Sequence, residues 1–196
     1  MNLTAREPFR AAFFIKERCD MPAILITGNV QTGKSTLIRR ILSRHPEWRI
    51  GGFRTVSAPM EEGWLGVHLL PGDPARGECM PENRVGRRCP ALRCREPIPG
   101  AFERLCPSLF ETEGCDLLMM DELGGMEENA ESFKNAVLNA LHGPVPVLGV
   151  IKPRETPFLN AIRACPGVTV ITLNEDNRNA LLPETETALL KLMDKA

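Results

Sequence analysis

The chain has no tyrosine and only two tryptophans in 196 residues. A platform for stacking single-stranded bases is therefore poorly supplied. Apolar runs are short, and none approaches the ~20 residues that a membrane-spanning helix needs. The N-terminus offers only Ala11–Ile15 before Lys16-Glu17-Arg18, which is shorter than a secretory core. Net charge is also nearly absent, at −1 from 24 basic and 25 acidic residues, which excludes strong bulk attraction to nucleic acid or anionic lipid. Seven cysteines are present, an odd number with no Cys-x-x-Cys pair, so reduced thiols in a cytoplasm are expected. Cys79, Cys89, Cys94 and Cys106 lie among arginines, and they read as buried or idle thiols rather than a zinc site.

What is present is a regular alternation of strand and helix signals. Ala23–Thr27 is a continuous apolar, β-branched run, as expected of a strand buried on both faces. Leu37, Ile38, Ile41 and Leu42 follow at helical spacing and stop at His45-Pro46. Gly51–Val56 and Trp64–Leu70 read as two strands of a hairpin joined through Glu61-Glu62-Gly63. Six prolines between Pro71 and Pro99 predict a loop-rich stretch with weak secondary structure over 71–100, which with part of the hairpin makes an insertion of about 57–100. A modest helix is expected over 101–113, and Leu117–Met120 reads as a buried strand closed by Asp121-Glu122.

Met126, Ala130, Phe133, Val137 and Leu141 share one helical face, which Gly143-Pro144 ends. A strand over Val145–Ile151, a helix over Thr156–Ala164 and a strand over Val168–Ile171 come next. Pro183 is expected to open a terminal helix. This order predicts an α/β fold, a mostly parallel sheet with helices on both faces. The expected organisation is one domain over 21–196, preceded by an extension over 1–20, with Met21 standing where a start would be expected.

Gly28-Asn29-Val30-Gln31-Thr32-Gly33-Lys34-Ser35 matches GxxxxGK[ST] at every fixed position, between a buried strand and an amphipathic helix. Glycines let successive backbone N–H groups turn inward on a polyphosphate, and the helix that follows adds its free N–H groups and positive dipole end. Residues 28–36, through Thr36, are the candidate nucleotide-binding segment. Lys34 reaches the β- and γ-phosphates, and the Ser35 hydroxyl ligates Mg²⁺. Asp121 and Glu122 sit at the carboxyl edge of a strand, where open parallel sheets bind ligands. Asp121 is the candidate metal ligand, and Glu122 the candidate base that orients or deprotonates water. Asp116 begins the same strand at the opposite edge and reads as structural. The eight acids from Glu111 to Glu131 otherwise read as a solvated face and a helix first turn. His45, His68 and His142 share no motif and read as structural.

These residues resemble a family of small nucleoside-triphosphatases first described from thermophiles, to which a human cancer-related nucleoside-triphosphatase also belongs. The similarity runs from about Met21 to Asn179. It is carried by Gly52-Phe53-Arg54-Thr55, by Asp121-Glu122-Leu123-Gly124-Gly125-Met126-Glu127 with Phe133 following, by Val147–Ile151, by Pro157-Phe158-Leu159 and by Asn177-Arg178-Asn179. The resemblance implies a RecA-like fold and slow, Mg²⁺-dependent hydrolysis of ATP, GTP and other nucleoside triphosphates to diphosphate and phosphate. The family usually carries lysine where Gly125 stands, so a cation for transition-state charge must come from Arg54, from Arg154, or not at all. Ser57-Ala58-Pro59 likewise replaces a strand that is usually charged. No Asn-Lys-x-Asp motif is present, so guanine specificity is not expected. A nucleotide-binding switch with residual hydrolysis is the alternative, and a phosphate-loop kinase a further one. Neither a membrane nor nucleic acid is expected as a partner.

Overall fold

The computed structural model describes residues 23–194. The expectations for residues 1–20 and for Met21 lie outside that range. The described elements are β1 (Ala23–Thr27), α1 (Lys34–Arg44), β2 (Ile50–Pro59), β3 (Leu65–Pro71), β4 (Arg84–Cys89), β5 (Cys94–Pro97), α2 (Ala101–Leu109), β6 (Leu117–Leu123), α3 (Glu131–Leu141), β7 (Val147–Ile151), α4 (Pro157–Ala164), β8 (Val168–Thr172) and α5 (Arg178–Met193). One sheet holds all eight strands in the order β5-β4-β3-β2-β6-β7-β1-β8. The five strands from β2 to β8 in that order run parallel, and β3, β4 and β5 continue the sheet as an antiparallel meander.

Strand alternation sorts the core into two layers. Leu25, Phe53 and Met120 pack with α2, α3 and α4 on one face. Ile24, Ile26, Leu117 and Met119 pack with α1 and α5 on the other. The central parallel strands β1, β6 and β7 are buried on both faces, which is why their sequences read as apolar runs. Phe133 of α3 anchors the first layer, its ring centroid 5.0 Å from Phe102 and 5.3 Å from Phe53. Among the described residues no helix is long and apolar enough to cross a membrane.

The segment after Pro71 is more regular than its prolines imply. Pro74, Pro81 and Pro90 fall in the turns between strands, and Pro97 closes β5 at the sheet edge, so none removes a ladder hydrogen bond from a central strand. Pro183 does not begin the last helix. It lies inside α5, which starts at Arg178. The wing built by β2 to β5 also rises above the carboxyl edge of the parallel strands. β2 leaves β6 after Arg54, opposite Asp121, and runs on to Pro59 paired only with β3. Five further residues at ~3.3 Å each make a wall of roughly 17 Å beside that edge.

Candidate active site

The loop 28–35 joins the carboxyl end of β1 to the first turn of α1. Its curvature needs left-handed backbone at Gly28 (φ +137°), Gln31 (φ +65°) and Gly33 (φ +99°). A Cβ at Gly28 would collide with the Leu173 carbonyl oxygen, so only glycine lets the loop leave β1 this close to the residue after β8. Gly33 caps α1 without a side-chain acceptor, and the first turn of α1 carries no acid. The N–H groups there remain available to an anion. The Thr32 hydroxyl donates to the Asn29 carbonyl at 3.0 Å. Lys34 Nζ donates to the carbonyls of Gly28 (2.9 Å) and Asn29 (2.5 Å). Burial lowers the Lys34 pKa, against the opposing charges of Glu122 and Asp121.

β7 lies between β1 and β6, so the loop and the acidic strand end are two strand spacings apart, roughly 10 Å. Across that gap Ser35 and Asp121 line the same cleft, and the Ser35 hydroxyl lies near enough to draw the Asp121 pKa down. Asp121 is only 7% exposed. Burial, and then the Glu122 charge, pushes its pKa up to about 6, although Lys34, Ser35 and Lys152 pull it down. Glu122 is half-buried. Its N–H donates to Thr55 Oγ1 at 3.0 Å, and its Oε2 lies 3.2 Å from Lys152 Nζ. The Asp121–Glu122 peptide is cis.

Three residues join the site that were not placed there in advance, or were placed only loosely. Lys152 follows the last residue of β7 and pairs with Glu122. Its signal was the one used for Asp121, a charge directly after a buried parallel strand. Glu127 does not lie on a solvated face. It is 4% exposed and accepts the Gly124 N–H at 2.6 Å, with its pKa raised by burial and lowered by its backbone hydrogen bonds and by Lys152. Arg154 fills the space beside Gly125, where a Cβ would stand 2.7 Å from a guanidinium nitrogen. Arg54, the other arginine considered, turns away, with Nη2 donating to the Arg76 carbonyl at 2.8 Å.

The loop, the acids, Lys152 and Arg154 share one cleft of about 710 Å³. On the other flank of the loop a cavity of about 330 Å³ lies between Thr32, Thr36, Arg40, Arg178 and Asn179. The remaining polar candidates stand apart. Asp116 accepts both guanidinium donors of Arg49 and its backbone N–H, which hold its pKa at about 2. His45 stacks on Trp48, and His68 hydrogen-bonds Met80 O and Asn83 Oδ1. His142 bonds Leu138 O. The six described cysteines are free, with Cys89 and Cys94 facing each other across the β4–β5 hairpin.

Comparison with known proteins follows the same outline. A family model described as NTPase matches residues 23–185. The nucleoside-triphosphatase THEP1 of Thermotoga maritima is 33% identical over 171 residues, covering 85% of this chain and 94% of that protein. The crystal structure of THEP1 from the hyperthermophile Aquifex aeolicus superposes with a TM-score of 0.65 at 23% identity, over 85% of this chain and 98% of that one. The solution structure of a human cancer-related nucleoside triphosphatase gives a TM-score of 0.59 at 24% identity, over 86% and 97% of the two chains. At these identities the two structures speak for the fold.

Proposed function

The chain belongs to the NTPase family, and on that premise we propose that it hydrolyses nucleoside 5′-triphosphates, ATP and GTP among them, to the diphosphate and phosphate with the help of Mg²⁺. The observation that carries the reading is the single cleft in which Lys34 and Ser35 of the loop stand with Asp121 and Glu122, across an intervening strand. The donor set fits the metal. A hydroxyl and a buried carboxylate are hard oxygen ligands, and the Asp121 charge is poorly compensated by its surroundings. Ser35 and Asp121 would hold Mg²⁺, which would offset the negative charge of the triphosphate.

In this reading residues Gly28 to Thr36 hold the triphosphate. The loop N–H groups and the first turn of α1 take the β-phosphate oxygens, and Lys34 exchanges its two carbonyl partners for the γ-phosphate. The nucleoside extends toward the flanking cavity at Arg178 and Asn179. That cavity has no dedicated base-reading motif, in keeping with broad base tolerance. Glu122 accepts a proton from water as the water oxygen attacks the γ-phosphorus. The bond from phosphorus to the β–γ bridging oxygen breaks, and the diphosphate leaves with that electron pair. Lys152, 3.2 Å away, orients the Glu122 carboxylate. Arg154 supplies the cation that Gly125 does not, a contribution worth roughly 10³–10⁵ in rate when an arginine serves transferring phosphoryl groups. A cytoplasmic setting with reduced thiols belongs to the same reading.

The test is phosphate release from ATP, GTP, CTP and UTP with Mg²⁺, run on the wild type and on Lys34→Ala. Turnover of several triphosphates that disappears with Lys34 supports the proposal. Tight binding without turnover would support the switch instead, and turnover only with an added acceptor would support a kinase.

A further inference from the structure

The cleft does not stop at the acidic strand end. It continues along the antiparallel wing, where Thr55, Ser57, Val67 and Leu69 form its wall and Arg88 and Arg95 stand at its far end. These two arginines are register partners across the β4–β5 hairpin. Like charges directly opposite each other weaken an antiparallel pair. The adjacent position makes the ordinary choice. Arg87 is the register partner of Glu96, with their charges 2.6 Å apart, and its guanidinium lies 4.2 Å above the Trp64 ring. Strand alternation puts that neutralised pair on the face opposite to Arg88 and Arg95. Among the described residues neither Arg88 nor Arg95 has an ion-pair partner. Two unneutralised guanidiniums held side by side, facing a cleft with an apolar wall, match an oxyanion on an apolar molecule.

We propose that Arg88 and Arg95 anchor a second small-molecule site in this cleft, for an occupant with an apolar body and a phosphate monoester or carboxylate at one end. The site is separate from the triphosphate site. β4 is five strand spacings from β1, roughly 24 Å along the sheet, and three from β6, roughly 14 Å. A γ-phosphate held by the loop is therefore out of reach of the pair. An occupant lying along Val67 and Leu69 bridges the distance from the arginines toward Glu122. The proposal rests on the triphosphate reading only for what fills the loop.

Phenyl phosphate, benzoate and inorganic phosphate serve as probes, titrated by calorimetry into full-length protein saturated with Mg²⁺ and a nonhydrolysable ATP analogue. Phenyl phosphate or benzoate is expected to bind, and the Arg88→Gln/Arg95→Gln double variant to weaken that binding at least roughly tenfold. Whichever probe binds identifies the favoured oxyanion, and binding by inorganic phosphate alone would refute the apolar body. Arg87→Gln, which also removes one charge from β4, is expected to leave probe affinity unchanged. Without probe, the double variant is expected to melt no lower than the wild type, because it relieves a like-charge contact; a lower melting temperature would mark the pair as structural and overturn the proposal. Probe binding that the double variant leaves intact would also overturn it, as would probe displaced by the ATP analogue together with weaker nucleotide binding in the double variant. The same titration on Lys34→Ala without nucleotide keeps the arginine result readable even if the triphosphate reading fails.

Discussion

Replacing Asp121 with asparagine should stabilise the metal-free protein while removing its response to magnesium nucleotide. The carboxyl is raised from 3.8 to about 6, chiefly by burial. A raised native pKa means that the folded state binds the proton more tightly than the unfolded one. The stability this confers is present in acid and lost as pH rises through about 6, so the ionised carboxylate is a cost at neutral pH. The interval from 3.8 to about 6, at about 1.4 kcal/mol per pK unit, is a cost of ~3 kcal/mol. Asparagine keeps the shape but carries no charge. In a chain of this size ~3 kcal/mol corresponds to roughly 6–12 °C in Tm. Thermal and urea denaturation in EDTA should show Asp121→Asn more stable at pH 8, with the gap narrowing as pH falls below about 6 and nearly closed by about 4. Adding Mg²⁺ and a nonhydrolysable triphosphate should raise the wild-type Tm and leave the variant's unchanged. A metal-free variant no more stable than wild type at pH 8 would refute the reasoning, because Asp121 would then carry no desolvation cost for a cation to offset.

Arg154→Ala should lower kcat by roughly 10³ or more with little change in nucleotide affinity, and Gly125→Lys in that background should restore part of the loss; steady-state kinetics with a binding titration would check both. Lys152→Ala should reduce kcat more than it changes KM, because Glu122 loses the cation 3.2 Å away that orients its carboxylate. Phe133→Ala should cost about 3–5 kcal/mol in urea denaturation, since its 1% exposed ring joins Phe53, Phe102 and Phe110 in one cluster.

The local parts of this molecule were legible in its sequence. A phosphate loop is eight consecutive residues with a strand before and a helix after, so Gly28–Ser35 declared both its conformation and its setting. The central parallel strands β1, β6 and β7 announced themselves because burial on both faces writes an apolar run. Asp121 and Glu122 were legible for the same reason, as charges closing such a run. Lys152 and Arg154 were harder, because what brings them to Glu122 and Gly125 is the order in which β6 and β7 lie in the sheet. No spacing along the chain encodes that neighbourhood. Glu127 was hidden in a run of acids, and only its bond to the Gly124 N–H separates it from the solvated ones. The proline-rich wing was misleading in a different way. Proline predicts local breaks correctly, but β4 and β5 are short enough to fit between the breaks and draw their order from pairing with β3 and with each other.

Glu122, as the group that activates water in a nucleotide site built by the loop and Asp121, is the centre of the proposed mechanism. The most direct measurement compares Glu122→Gln with wild type for binding of Mg²⁺-ATP and for single-turnover phosphate release. The account predicts near wild-type binding with hydrolysis slowed by roughly 10²–10⁴. A Glu122→Gln protein that hydrolyses ATP at the wild-type rate would contradict it.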